Sequence, residues 1–249
     1  MKIWNYLIQI CLNLMYTKNK HIVVLFCYNN VDHIIKCYES LKNNNIDFFV
    51  VENYSKNSGL IENFFKNENI LGHIIFKENI VNKAIEIFIN DYFELLEKYS
   101  LVTITDCDLY SENSFLLFQE IYTIIENKNI GVCCSKLNLK NLPAVPGANS
   151  WLPKEIEITK DYIEVGSGIH MMTLNQKNLN LIKNVRFLDQ NLIRIFKENN
   201  LKWVTTKEND VIHLTWDLYY PDNDYYKFKI NNNSTLWKSN KICEYNILK

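Results

Sequence analysis

The sequence reads as an α/β domain with a mostly parallel central sheet and helices on both faces. Three observations predict this. Short apolar runs of strand character alternate with stretches of helical periodicity through residues 21–105. The polar clusters of that region fall at the carboxyl ends of the predicted strands, where open α/β sheets hold ligands. A chain of 249 residues with 47% apolar side chains is also enough for one sizeable core.

The elements follow in order. HIVVLFCYNN (21–30) is a buried strand, and residues 31–45 carry Ile34, Ile35, Tyr38 and Leu41 at helical spacing. IDFFVVEN (46–53) is a second strand, followed by a turn-rich stretch and a short helix over 60–67. GHIIFKEN (72–79) is a third strand. Residues 81–100 form one long helix, with apolar positions at 85, 88, 89, 92, 93, 95 and 96. LVTIT (101–105) is the fourth strand. Beyond it lie a helix over 111–129, a strand over 130–139 and a proline-containing loop over 141–153. A strand over 162–174 is interrupted by Gly166-Ser167-Gly168, a helix spans 187–202, and residues 203–217 hold a short strand. The last thirty residues are polar and aromatic without a period.

Residues 1–20 are set apart as an N-terminal amphipathic helix, and 21–249 as the single α/β domain. On a helix, Ile3, Leu7, Ile10 and Leu14 form one apolar row, and Trp4, Ile8, Cys11 and Met15 the next. The stretch is too short and too polar to span a bilayer, and it lacks a signal-peptide cleavage site. Two readings stay open: packing on the domain or a second copy, and peripheral contact with a membrane surface. The chain carries 27 basic and 28 acidic side chains, and only Arg186 and Arg194 are arginines. That balance excludes a general nucleic-acid binder. Seven cysteines, none in a C-x-x-C pair, point to a reducing compartment and a cytoplasmic location.

The strand 101–105 runs straight into Asp106-Cys107-Asp108. Two carboxylates at i and i+2 repel each other unless something offsets their charge. A hard divalent cation does so, and such ions take one or two carboxylates together with substrate phosphates. The bland alternative is a loop that merely begins with aspartate. Phosphatases of the haloacid-dehalogenase type also end a strand with D-x-D, but Leu109-Tyr110 breaks their continuation. No P-loop, dinucleotide fingerprint or zinc spacing is present.

Seven stretches taken together carry a resemblance: VVLFCYNNVDHIIKCYESL, VVENYSKNS, FKENIVNKA, TDCD, GSGIHMMTL, FLDQNLIRIFKENNLKW and VIHLTWD. In order and spacing the chain resembles GT-A glycosyltransferases, in particular the large inverting family 2, over most of its length. The asparagine-rich segment lacks that family's usual glycine.

The resemblance implies a GT-A, Rossmann-like domain using a nucleoside diphosphate sugar, with uridine the expected base, and Mn²⁺ or Mg²⁺. The acceptor would be a hydroxyl on a glycan or lipid-linked glycan. Tyr28, Asn29, Glu52, Asn53, Asn79 and Asp106 would contact the donor. Asp106, Asp108 and His213 would serve the metal. Asp189 would be the general base, with Glu164 the nearest substitute.

Against these roles stand ordinary ones. Glu52 would be a polar strand end, Asp189 a helix N-terminal charge, and His213 a core histidine. Trp151 either stacks on a sugar or pins its loop. Cys107 is read as filler, and His73 and His170 as structural. Two other functions are weighed: a metal-dependent phosphatase or nucleotidyltransferase, and a degenerate carbohydrate-binding subunit.

Overall fold

The computed structural model describes residues 20–42, 45–145, 148–168, 170–219, 223–224, 227 and 244–248. The expected N-terminal helix, the Trp151 side chain and most of the last thirty residues lie outside them. No helix among the described residues is long and apolar enough to cross a membrane.

The strands are β1 (His21–Cys27), β2 (Ile46–Glu52), β3 (Gly72–Phe76), β4 (Leu101–Asp106), β5 (Leu109–Tyr110), β6 (Ile130–Leu137), β7 (Glu155–Ile158), β8 (Ile163–Val165), β9 (Met172–Asn175), β10 (Lys202–His213) and β11 (Tyr245–Ile247). The helices are α1 (Val31–Leu41), α2 (Ser58–Lys66), α3 (Lys83–Asp91), α4 (Phe93–Leu96), α5 (Ser114–Ile125), α6 (Gln176–Leu179) and α7 (Asp189–Glu198).

One sheet runs in the order β11-β3-β2-β1-β4-β9-β6-β10-β8-β7, with β5 paired to β10. Strands β3, β2, β1 and β4 are parallel neighbours, as the alternation predicts. The sheet as a whole is mixed, because β11, β9, β8 and β5 run antiparallel to their partners.

Strand alternation divides the core into two layers. Ile22, Val24 and Phe26 of β1 pack with α3, α4 and α7 on one face. Val23, Leu25 and Cys27 pack with α1, α2 and α5 on the other. Both faces of β1 are therefore apolar, which is why it reads as a continuous run rather than an alternation.

Three of the expected elements are changed, and β5, β7 and β11 fall where no strand was expected. The helix expected over 81–100 breaks at Tyr92, whose φ of −107° and ψ of 18° leave the helical region. The strand expected over 162–174 is two strands, β8 and β9. Gly168, at φ +95°, turns the chain between them, and β9 inserts between β4 and β6 while β8 stays beside β10. The short strand expected in 203–217 is the twelve-residue β10.

A bulge accommodates the length of β10. From Thr205 to Asp210 it takes five residue steps while β6 takes two, from Cys134 to Lys136. The extra loop closes on Glu120 of α5. That carboxylate accepts from the amides of Lys207 (2.5 Å), Glu208 (3.0 Å) and Asn209 (2.8 Å), and from Asn209 Nδ2 (2.7 Å). Replacing Glu120 with alanine strands these donors. It is expected to lower unfolding stability by about 3 kcal/mol, read by urea denaturation, and an unchanged midpoint would contradict the cage.

His21 anchors the other end of the core. Its ring nitrogens lie 2.7 Å from Thr103 Oγ1 and 2.9 Å from Tyr122 Oη, and it is fully buried. Burial pushes its pKa down to about 3. The unfolded chain binds a proton near pH 6.5 and the native chain does not. Stability is therefore complete above that pH and falls as pH drops from about 6.5 toward 3. At pH 5 this single group removes about 2 kcal/mol relative to neutral pH. Urea titrations of the wild type and His21→Gln at pH 5 and 7.5 should differ by that amount in their pH dependence. Parallel curves would exclude the effect.

Candidate active site

The carboxyl edge of the parallel strands collects the candidate residues, and the backbone there is under strain. Asn29 (φ 59°), Tyr54 (φ 55°) and Val81 (φ 52°) follow β1, β2 and β3, and Met171 (φ 49°) precedes the antiparallel β9. Left-handed backbone is costly for a residue with a Cβ and most of all for a β-branched one, so surrounding structure must enforce it. At Val81 that structure is visible. Asn53 Oδ1 accepts from Ile80 N (2.9 Å), Asn53 Nδ2 donates to the Val81 carbonyl (3.2 Å), and Asn79 Oδ1 accepts from Val81 N (3.0 Å). Val81 thus holds the conformation a glycine would take more readily, in the segment where the expected glycine is missing. Asn53 and Asn79 spend these polar atoms on shaping the turn.

Asn29 sits in a similar web. Its amide donates to Ser55 Oγ (2.8 Å), and its Oδ1 accepts from Lys56 N (2.9 Å). Glu52 supports the web from below: its Oε1 accepts from Ser55 N (3.3 Å), while Oε2 lies 3.3 Å from His73 Nε2. Glu52 is fully buried and His73 nearly so. The Glu52 carboxylate therefore faces the interior and reaches the edge through Ser55. Tyr28, half-buried, follows β1 beside Asn29.

At β4 the chain turns so that Asp106 is exposed while Asp108 is half-buried. Cys107 between them is buried in the same core layer as Cys27 and Cys37. Asp108 is clamped by the end of β10. Its carbonyl accepts from Leu214 N (2.7 Å), its carboxylate accepts from Thr215 Oγ1, and Oδ2 lies 3.6 Å from His213 Nδ1. The Trp216 ring stacks on His213 at 5.0 Å and an interplanar angle of 2°. The pairing of His213 with Leu109 in β5 brings these two distant segments together.

His213 Nδ1 is buried and has no hydrogen-bond partner among the described residues. A carboxylate beside an uncommitted imidazole nitrogen is a donor pair that fits a divalent cation, and a nitrogen ligand suits Mn²⁺ better than Mg²⁺. Among the described residues no group of three or more His, Cys, Asp and Glu is assembled for a metal. The remaining positions would fall to phosphate oxygens and water, as is common for these ions.

Two histidines join the site that the sequence did not single out for it. His170 lies 5.7 Å from the His213 ring, centroid to centroid. Desolvation and the neighbouring His213 push its pKa down to about 4, against the pull of Asp108. His33, in the first turn of α1, is held below its usual value by burial, again against Asp108. Neither has a sequence signal, because their meeting with Asp108 is made by the sheet order.

Asp189 opens α7 beside Gly168. Its Oδ2 accepts from Gly168 N at 3.3 Å, and the Gly168 carbonyl in turn accepts from Trp203 Nε1 at 2.9 Å. A cavity of about 460 Å³ opens here, lined by Gly166, Ser167, Asp189 and one face of α7. His170 is two residues from Gly168, so one short segment touches both the Asp108–His213 pair and the Asp189 cleft. Glu164 is not part of this grouping: it forms an ion pair with Lys202 at 2.6 Å, at the opposite end of β10 from His213.

No family model matches the chain. Two uncharacterized proteins of Acanthamoeba polyphaga mimivirus, L142 and L138, are 31% and 29% identical to it over 92% and 94% of its length. The chain spans 51% of the first and 28% of the second. Among solved structures, a mannosyltransferase of Pyrobaculum calidifontis in complex with GDP-Man and Mn²⁺ superposes with a TM-score of 0.57 at 10% identity, covering 86% of this chain and 61% of that one. The chain therefore has the GT-A fold: a single α/β domain whose mixed central sheet is flanked by helices.

Proposed function

We propose that this protein is a metal-dependent glycosyltransferase. It would move a sugar from a nucleoside diphosphate sugar, with uridine the first base to test, to a hydroxyl of a glycan or lipid-linked glycan. One observation carries the reading: a single edge of a GT-A sheet holds Asp108 and His213 3.6 Å apart, and the segment beside them leads to Asp189 in an open cleft.

In this reading Tyr28 and Asn29 meet the nucleoside, and the turns braced by Glu52, Asn53 and Asn79 shape its seat. Asp108 and His213 would hold Mn²⁺ or Mg²⁺ with Asp106 alongside, and there such an ion would supply positive charge to offset the negative charge developing on a leaving diphosphate. Asp189 accepts the proton of the acceptor hydroxyl as that oxygen attacks the anomeric carbon. The bond from that carbon to the diphosphate breaks, and its electron pair leaves with the nucleoside diphosphate. One displacement with one base inverts the anomeric centre. Glu164, engaged by Lys202, is poorly disposed to replace Asp189.

The test is turnover of a panel of nucleotide sugars with Mn²⁺. The expected result is metal-dependent release of a nucleoside diphosphate from at least one donor. Release of phosphate or pyrophosphate instead would favour a phosphatase or nucleotidyltransferase. Saccharide binding without any turnover would favour a non-catalytic subunit.

A further inference from the structure

The cleft beside Asp189 has a chemical character of its own. One wall is a single face of α7, where Asp189, Gln190, Ile193, Arg194, Lys197 and Glu198 follow one another at helical spacing. Ile193 contributes apolar surface next to the base. Arg194 and Lys197 come five and eight residues after Asp189, which is about 7.5 and 12 Å along the axis at 1.5 Å per residue. Positive charge is thus set back from the reacting position by roughly the size of a sugar unit.

The nearby acids do not cancel it. Glu198 meets Arg194 only at 3.9 Å, with both side chains about two-thirds exposed, and such a pair contributes little and yields readily to a better partner. Lys197 has no ion pair among the described residues. Arg194 is also one of only two arginines in a chain whose other positive side chains are lysines. Its planar fork matches carboxylate and phosphate oxygens in a way an ammonium does not.

We propose that this cleft takes an acceptor saccharide bearing an anionic oxygen group, phosphate or carboxylate, about one sugar unit from the hydroxyl that Asp189 deprotonates. The proposal rests on the glycosyltransferase reading and names the acceptor class of the same site. Arg194 and Lys197 would hold the anion, and Ile193 would meet the apolar face of the ring.

Three probes test it by ligand-observed NMR: glucose 6-phosphate, glucuronic acid and glucose. The anionic probes are expected to bind about tenfold more tightly than glucose. Preference for the first alone identifies phosphate as the group, and for the second alone, carboxylate. In the variant Arg194→Gln/Lys197→Gln, both positions exposed, the preference should vanish while the binding of UDP with Mn²⁺ is unchanged. Equal binding of all three probes, no binding of any, or a preference that survives in the variant overturns the proposal. Loss of nucleotide binding in the wild type would instead strike the donor reading, because the probes do not involve the diphosphate site.

Discussion

Asp108→Asn is expected to lower sugar transfer by about 10³-fold, equivalent to about 4 kcal/mol of transition-state stabilisation. The substitution keeps the shape of the side chain and removes its charge. The fold around it should survive, because the Leu214 N–H bond goes to the residue-108 carbonyl, and the Thr215 hydroxyl still finds an oxygen on the amide. What is lost is the carboxylate that, paired with His213, would fix a cation against the leaving diphosphate. Donor turnover measured with and without Mn²⁺, together with a melting curve, separates the two effects. A variant with normal melting and wild-type turnover would remove Asp108 from the chemistry.

Asp189→Asn is expected to reduce kcat by about 10²- to 10⁴-fold, the range for loss of a general base. Donor affinity should not change, since Asp189 lies in the cleft rather than at the Asp108–His213 pair. Asparagine can still accept from Gly168 N, so the helix start and the Gly168 turn keep their contact. The discriminating result is nucleotide binding at wild-type strength with transfer abolished. Transfer at the normal rate would move the base elsewhere. Glu164 would then have to leave Lys202, and disrupting that ion pair would be the next step.

The legible part of the fold was the part in which sequence neighbours become spatial neighbours. Strands β1 to β4 alternate with helices, and apolar runs such as Val23–Phe26 mark strands buried on both faces. The second half resisted reading because its partners are remote. Nothing in residues 162–174 says that β9 will slip between β4 and β6 while β8 stays by β10. Likewise residues 203–217 read only as holding a short strand, because the partner that satisfies the amides of its bulge, Glu120, lies nearly ninety residues earlier.

The candidate site divides in the same way. Asp106 and Asp108 announce themselves by residue type at a strand end, and His213 by its place in VIHLTWD. Thr215, His33 and His170 gain their meaning only from the meeting of β10, α1 and the Gly168 turn. Glu52 was legible as an acid at a strand end. Its engagement by His73 on the neighbouring strand was not, because register between parallel strands leaves no local mark. The missing glycine of the asparagine-rich segment has a structural counterpart in Val81, held left-handed by asparagine hydrogen bonds.

The most direct measurement is a crystal structure of the protein soaked with Mn²⁺ and, in separate crystals, with UDP and with GDP. The expected result is an ion between Asp108 and His213 whose remaining ligands include diphosphate oxygens, with the nucleoside lying toward Tyr28 and Asn29. An ion and a nucleotide bound away from Asp108, or a diphosphate seated there without contact to that carboxylate, would contradict it.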